Sequence, residues 1–526
     1  MGNSEPRRRP EDQRESLPPL EEKLSATEER FERRRRTAGL FLGPAVAGFF
    51  YYLPFPSLTA QAHTLAAIIS WVIIWWITEP IPIPMTALLG PCLCTAAGVA
   101  DARSAFAPFA DPIIFLFLGS FIIARSMSAH GLDKRFAYGL LSRRFVGNSP
   151  GRILFFYGAI CAALSMWISN TATAAMMFPI GVGIISAMAD MIARQTGRKV
   201  CVERLRFTTG MMLMAAYASS TGGIGTPVGS PPNLIGLAMI EKFVQVKIPF
   251  FRWMMFAVPL LMIMYGFLYL IMILLHRPEV SRIKGSREFV RTELRRLGPW
   301  TRGQKNSLAA FLAAVILWIL PGILALFGGA DSAISRQYNA RIPEAVAAII
   351  AALLLFILPV DWKKREFTLG WRQAVQIDWG TLLLFGGGLS LGGLMFQTKL
   401  AEALGRGLLG LFGATSEWGL TLAGIYLAIV VTETTSNTAA ATMIVPVMIS
   451  VAQAAGVNPI PPAIGATIGA SLAFMLPVST PPNAIVYGSG LVPITRMLRA
   501  GTLIDLVGGI LIWAALRLLL PLVGLA

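Results

Sequence analysis

The sequence predicts an all-α membrane protein with about eleven transmembrane helices and two re-entrant hairpins, arranged as two inverted repeats. Of its 526 residues, 55% are hydrophobic and only 14% are charged, too few charges for the surface of a soluble protein of this length. Many apolar stretches reach the roughly 20 residues needed to cross a bilayer. Two identical tripeptides, Ser-Asn-Thr at 169–171 and 436–438, interrupt such stretches.

The basic residues lie mainly between the apolar stretches. Lys and Arg outnumber Asp and Glu by 45 to 28, which gives a net charge of +17. A basic chain can bind nucleic acid, but this distribution follows the tendency of Lys and Arg to remain on the cytoplasmic side of a membrane. We therefore expect a multi-pass protein of the inner (plasma) membrane, with a cytoplasmic N-terminus, lipid as its surroundings and no nucleic-acid partner.

The chain divides into five segments. Residues 1–37 alternate acidic and basic side chains and predict a disordered, basic, cytoplasmic tail. The expected segments after it are a first transmembrane helix at 38–56, a first repeat at 57–275 with a re-entrant hairpin at 153–190, an exposed cytoplasmic connector at 276–305, and a second repeat at 306–526 with a hairpin at 418–455.

Within the repeats, two spans are broken. Gly and Pro concentrate at 222–227 in the span 207–240 and at 477–483 in the span 460–493, and they interrupt a helix there. The other spans are expected at 61–78, 83–100, 112–130, 250–275, 307–328, 343–360, 378–397 and 502–525.

The two halves share landmarks in the same order. The constant offset that maps the first tripeptide onto the second also relates Asp111 to Asp378, Gly119 to Gly386, Ser165 to Thr432 and Pro179 to Pro446. Further on, a slightly shorter offset aligns residues 226–235 with 476–485, including Pro-Pro-Asn in both. Matching landmarks in a fixed order indicate an internal repeat.

The repeat is expected to be inverted. Each half contains five predicted crossings, and an odd number makes the second half enter the membrane from the opposite side. Charge gives an independent indication. The stretch before the first hairpin carries Lys134, Arg135, Arg143, Arg144 and Arg152, whereas the matching stretch balances Lys399 and Arg406 with Glu402 and Glu417. Broken apolar segments at matching positions of inverted repeats indicate a transporter binding site.

The composition of the tripeptide suits such a site. Its Asn offers an amide oxygen to a cation and N–H groups to an anion, and its hydroxyls can serve either. Helix N-termini attract anions, and free backbone carbonyls bind hard cations. Since no Arg, Lys or His adjoins either tip in sequence, bound cations must compensate a divalent anion. This pattern predicts sodium coupling.

Several of these sequence features have more than one interpretation. A single Ser-Asn-Thr in a membrane helix usually mediates helix–helix contact, but two copies in register favour a functional site. Glu433 beside the second tip is either a proton carrier or structural, and Glu79 and Asp505 are expected at the membrane interface. The three His residues are scattered, so neither zinc nor copper nor another protein-bound cofactor is expected. No hydrolase or nucleotide-binding motif indicates an enzyme.

Together, the two tips and the two Pro-Pro-Asn segments resemble the divalent anion/sodium symporter family, also called INDY-type transporters, from about residue 38 onward. The resemblance implies a homodimer and elevator-type alternating access. It implies sodium sites at Ser165, Ser169, Asn170 and Gly229, and at Thr432, Ser436, Asn437 and Ser479. It implies a substrate site formed by Asn170, Thr171, Ser230, Asn437, Thr438, Thr480 and Pro481.

The expected function is therefore secondary transport of small divalent anions. Sodium-coupled import of C4-dicarboxylates such as succinate, malate and fumarate is the first hypothesis. A sulfate or citrate symporter and a dicarboxylate exchanger are the alternatives on the same frame. A channel remains open from the sequence alone, although inverted hairpins favour alternating access.

Overall fold

The computed structural model describes residues 26–196, 202–283, 285–329, 332–412 and 416–526. The chain is almost entirely helical. The helices of the first half are α1 (Ala26–Tyr52), α2 (Ala60–Thr78), α3 (Ile83–Ala96), α4 (Ala102–Phe106), α5 (Pro112–Ala129), α6 (Leu132–Leu141), α7 (Pro150–Ser165), α8 (Asn170–Thr196), α9 (Arg206–Gly222), α10 (Pro231–Val244), α11 (Phe250–Leu275) and α12 (Ser286–Arg296).

The second half follows the same plan. Its helices are α13 (Arg302–Gly328), α14 (Ala333–Arg341), α15 (Glu344–Ile357), α16 (Trp371–Ala374), α17 (Trp379–Gln397), α18 (Leu400–Phe412), α19 (Glu417–Thr434), α20 (Asn437–Ala454), α21 (Ile460–Gly469), α22 (Pro481–Gly488) and α23 (Ile494–Leu522). A short antiparallel ribbon, β1 (Pro359–Asp361) with β2 (Glu366–Phe367), closes the loop after α15.

The all-α membrane fold predicted from composition is confirmed. In the described part of the chain, eight helices are long and apolar enough to cross a membrane, or nine if the bent pair α14 and α15 is one span. The eight include α8 and α20, the second arms of the two hairpins. Broken spans built from two short helices and the charged α1 fall outside this count, so the number of eleven crossings stays a prediction.

Helix packing follows the internal repeat. Helix α5 packs against α15, and its counterpart α17 packs against α3. Likewise α10 packs against α20 while α22 packs against α8, and the contact of α7 with α9 is matched by that of α19 with α21. The contacts between helices therefore occur in matched pairs, as a two-fold relation between the two halves would produce.

Matching caps begin matching helices. The Asp111 carboxylate accepts a hydrogen bond from the Ile113 N–H at 3.0 Å before α5. The carboxylate of Asp378, its counterpart in the second repeat, accepts one from the Thr381 N–H at 3.1 Å before α17. An Asp cap satisfies a free N–H of the first turn, so the landmark Asp pair found in sequence has a local structural cause.

The predicted boundary of the N-terminal tail is wrong. Helix α1 begins at Ala26, so the chain is helical over 26–37, where a disordered tail was expected, and residues 1–25 lie outside the described residues. Glu32 pairs with Arg35 at 2.9 Å and lies 3.9 Å from Arg36. Opposite charges three and four residues apart favour a helix. The prediction of disorder considered only the composition of this segment and not the spacing of its charges.

The connector 276–305 is also more ordered than predicted. It contains α12, which packs against α6 and α8 and buries Val290. The Arg135 guanidinium donates hydrogen bonds to the carbonyls of Leu297, Gly298 and Pro299 at 2.9, 2.8 and 3.2 Å. It also lies over the Trp300 ring, 5.2 Å from the centroid.

The remaining differences concern boundaries. Helix α21 ends at Gly469, so the break in the second broken span covers residues 470–480 and begins before the predicted 477–483. The hairpins are α7 with α8 and α19 with α20; the first extends to Thr196, beyond the predicted 190. Helix α11 coincides with the predicted span 250–275.

Arg135 is expected to be a main anchor of the connector. In Arg135→Gln the carbonyls at 297–299 lose a charged donor, and a hydrogen bond to a charged group contributes about 1.5–3 kcal/mol. We expect a lower midpoint of thermal unfolding for the purified protein in detergent. Lys134→Gln, a loss of the same charge at the preceding residue, is the control. Equal midpoints for both variants would contradict this role.

Candidate anion and cation site

The first tip is a helix start held by two hydroxyls. Helix α8 begins at Asn170, and the Ser169 hydroxyl accepts a hydrogen bond from the Ala172 N–H at 3.3 Å. The buried Ser165 hydroxyl donates to Asn170 Oδ1 at 2.6 Å. This bond fixes the amide of Asn170 and leaves a second lone pair on its oxygen for a cation.

The second tip repeats this arrangement at the aligned positions. Helix α20 begins at Asn437, and the Ser436 hydroxyl accepts from the Ala439 N–H at 3.2 Å. The Thr432 hydroxyl hydrogen-bonds to Asn437 Oδ1 and to the carbonyl of Ala470, both at 2.8 Å. The tips therefore share a geometry as well as a sequence.

A buried Asn holds each broken helix open. Asn233 donates through Nδ2 to the carbonyls of Gly223 and Thr226, both at 2.8 Å. Asn483, its counterpart in the second repeat, donates to the matching carbonyls at 473 and 476, both at 3.0 Å. Sequence reasoning assigned the Pro-Pro-Asn segments only to stopping and starting helices. The recurrence of Asn at the aligned position of the second repeat could have indicated this second role.

Backbone and side-chain oxygens converge beside the first tip. A Cβ built on Gly223 would lie 2.6 Å from Asn170 Oδ1 and 3.0 Å from the carbonyl oxygen of Gly229. A Cβ on Gly229 would lie 2.6 Å from the oxygen of Gly223 and 3.0 Å from that of Met166. These oxygens are close to one another only because both positions lack a side chain. We call this group of oxygens the cradle; neutral oxygens of this kind suit a hard cation of the sodium type.

The second half makes the equivalent contact with different residues. In the first half, the Thr226 hydroxyl donates to the carbonyl of Met166. The matching carbonyl, that of Glu433, accepts from the Ser479 hydroxyl at 3.0 Å. Ser479 therefore joins the broken helix to the tip, and its hydroxyl is engaged with Glu433. Ala473 occupies the position equivalent to Gly223, so the two half-sites differ in shape.

The side chain of Glu433 ties the second tip to the broken helix. Its carboxylate accepts hydrogen bonds from the N–H groups of Met475 and Leu476 at 2.9 and 3.3 Å and from the Ser479 hydroxyl at 2.6 Å. It satisfies unwound backbone that lipid could not. Asp505, which was expected at the membrane interface, is 1% exposed and lies within α23. Tertiary packing buries a position that its distance from the helix end had suggested was interfacial.

Both tips face one cavity of about 1190 Å³. All the predicted site residues except Ser165 and Thr432 line it: Ser169, Asn170, Thr171, Gly229, Ser230, Ser436, Asn437, Thr438, Ser479, Thr480 and Pro481. Ser165 and Thr432 are buried behind the wall and act through Asn170 and Asn437. The structure therefore brings two sequence-distant half-sites onto a common space.

The cavity also contains residues that sequence reasoning missed. Ser220 of α9 is buried in its wall, and its hydroxyl has no partner in the described part of the structure. Arg125 of α5 and three arginines of α1 line another part of the same wall. Ser220 lies two residues before a Gly pair that breaks its helix, which was a usable signal, whereas nothing near Arg125 in sequence indicated the site.

Comparison with known proteins decides the family. The family model described as the sodium:sulfate symporter transmembrane region matches residues 34–523. The chain belongs to the divalent anion/sodium symporter family. Among curated members of this transporter family, the sodium-dependent dicarboxylate transporter SdcS of Staphylococcus saprophyticus is 32% identical over 486 residues, covering 92% of this chain and 91% of that protein. SdcS of Staphylococcus aureus is 32% identical with the same coverage.

A solved structure is similar at the level of the fold. The YdaH transporter of Alcanivorax borkumensis, whose crystal structure is described as having an unusual topology, aligns with a TM-score of 0.51 at 14% identity. The alignment covers 93% of this chain and 98% of that one. At this identity the similarity supports a shared membrane fold and nothing further.

A methyl group at position 223 tests the oxygen cradle. In Gly223→Ala the new Cβ would push apart Asn170 Oδ1 and the Gly229 carbonyl, while a φ of −56° lets Ala adopt the same backbone. We expect the sodium concentration for half-maximal uptake by proteoliposomes to rise about tenfold, equivalent to about 1.4 kcal/mol. Ala473→Gly, a change at the matching position, should alter it less than about twofold. An unchanged sodium requirement in Gly223→Ala would exclude the cradle.

Proposed function

We propose that the protein imports C4-dicarboxylates, such as succinate, malate and fumarate, together with sodium. The observation that carries this proposal is the pair of Asn-headed helix starts, Asn170 and Asn437, on one cavity. Each helix start presents free N–H groups and a positive partial charge. A substrate with a carboxylate at each end can engage both half-sites at once.

Sodium coupling is supported by the chemistry of the tips. Residues 165–171 and 432–438 contain no basic side chain, and the only acidic one, Glu433, is occupied by backbone N–H groups and Ser479. The cradle beside Asn170 offers neutral oxygens, which are ligands for a hard cation. A dianion in a site of low polarity requires compensating charge. Sodium bound at the tips would supply it, and binding of ion and anion would then be mutually dependent.

The proposed transport cycle is alternating access of the elevator type. The hairpins and the broken helices pack together, α8 with α9 and α20 with α21, so that both half-sites can move as one unit. The residues around the tips would bind sodium first and then close on the dianion. We further propose a homodimer in the plasma membrane with a cytoplasmic N-terminus, acting as a transporter and not as an enzyme. The curated dicarboxylate transporters SdcS support the choice of substrate.

Sulfate is the second candidate substrate, because the matched family model is named for sodium:sulfate symport. The two separate tips favour a longer anion with charges at both ends, and this places dicarboxylates first. Citrate symport and dicarboxylate exchange remain alternatives on the same frame.

Replacing sodium tests the coupling. Purified protein in liposomes is expected to accumulate labelled succinate when sodium is high outside, and not when potassium replaces it, because uptake is proposed to require sodium bound at the tips. Protein-free liposomes provide the background. Equal uptake in the two salts would refute sodium coupling, and competition by malate, citrate and sulfate would rank the substrates.

Removing one tip amide tests the site. Asn437→Ala deletes a group proposed to contact both ions, and losing one hydrogen bond to a charge costs about 1.5–3 kcal/mol, or more than about tenfold in binding. Sodium-driven succinate uptake should be abolished while the protein remains folded by size-exclusion chromatography. Asn458→Ala, an equal truncation in the loop after α20, serves as the control. Near-normal uptake by Asn437→Ala would exclude the tip as the binding site.

A further inference from the structure

Four arginines share the cavity with the neutral tips. Arg33, Arg35 and Arg36 of α1 and Arg125 of α5 line its wall. The side chains of Arg33 and Arg36 are exposed, whereas Ser230 beside the tips is 1% exposed. Arg33 and Arg36 therefore lie on a part of the wall that solvent reaches.

Part of this positive charge is compensated and part is not. Glu32 pairs with Arg35 at 2.9 Å and lies 3.9 Å from Arg36. Among the side chains that the structure describes, no carboxylate lies within 4 Å of the Arg125 guanidinium.

Neutral groups hold Arg125 in place. Its guanidinium donates to the side-chain oxygen of Gln376 and to the carbonyl of Gln373, so its full charge remains. Of the other acids that line the cavity, Asp378 accepts hydrogen bonds from Thr381, and Glu79 follows the end of α2. The basic side chains of the wall outnumber the acidic ones.

We propose that Arg33, Arg36 and Arg125 form a vestibule that attracts dianions toward the tips without holding them there. The inference rests on the proposed function, since the ligand is the transported divalent anion. An excess of one sign of charge on a cavity wall raises the local concentration of the opposite ion and its rate of entry. Strong cations at the tips would bind a dianion too tightly for release and would compete with sodium. Arginines on the wall, outside the tip sequences, supply attraction without competing with sodium at the tips.

The vestibule belongs to one face of the transporter. The basic half of α1, the C-terminal end of α2, the C-terminal part of α5 and the start of α17 all contribute to the wall. Its effect should therefore concern anion entry from the face where α1 begins, which is the cytoplasmic face in the proposed orientation.

The experiment compares arginines of α1 that line the wall with arginines of α1 that do not. Arg33→Gln with Arg36→Gln removes two charges from the wall, while Arg34→Gln with Arg30→Gln removes two from the same helix at positions outside the wall. Succinate transport is measured from each face, in vesicles of defined orientation. Choline chloride varies the ionic strength from about 30 to about 300 mM, since the screening length falls below about 10 Å within this range.

We expect the first variant to raise the KM for succinate about threefold at low ionic strength, only from the face where α1 begins, with kcat unchanged. The difference should disappear at high ionic strength, and the control variant should match the wild type. An equal rise in the control, a rise on both faces, or a rise that persists at high salt would each overturn the vestibule. Transport that is independent of sodium would refute the proposed coupling instead, and it would leave the comparison of the variants valid.

Discussion

Satisfaction of unwound backbone within an apolar environment is the constraint on which the rest of this structure depends. Lipid offers no partner to a free carbonyl or N–H group, so each break in a helix needs its own polar support. Asn233 and Asn483 bind the carbonyls released by the two broken spans. Residues of both unwound segments, Gly229 and Ser479 among them, line the cavity. The same unwinding that costs stability supplies the oxygens and N–H groups of the site.

The two halves share this geometry more closely than they share the residues that form it. The carbonyl at the turn of each hairpin is bound by a hydroxyl from the broken helix, Thr226 in one half and Ser479 in the other. The hydroxyls come from different positions of the aligned segments. A cradle shaped by two glycines in the first half has Ala473 and Ser479 in the second. We infer that the two cation half-sites are unequal in affinity.

The arginines of the cavity wall lie outside the two tip sequences. The tip residues that line the cavity are neutral, as the proposed compensation of the anion by sodium ions requires. Full positive charges, such as Arg125, lie on the cavity wall away from the tip sequences. This separation suits a site that must bind on one side of a membrane and release on the other.

The sequence by itself determined the membrane class, the two tips, the repeat and the bounds of α11, because each rests on local composition or on a fixed offset. It also identified the residues that line the cavity around Asn170 and Asn437, since the repeat singled them out. Tertiary structure alone decided where α21 ends and that Asp505 is buried. It also brought Arg125 to the cavity, because contacts between distant helices leave no periodic trace in the chain.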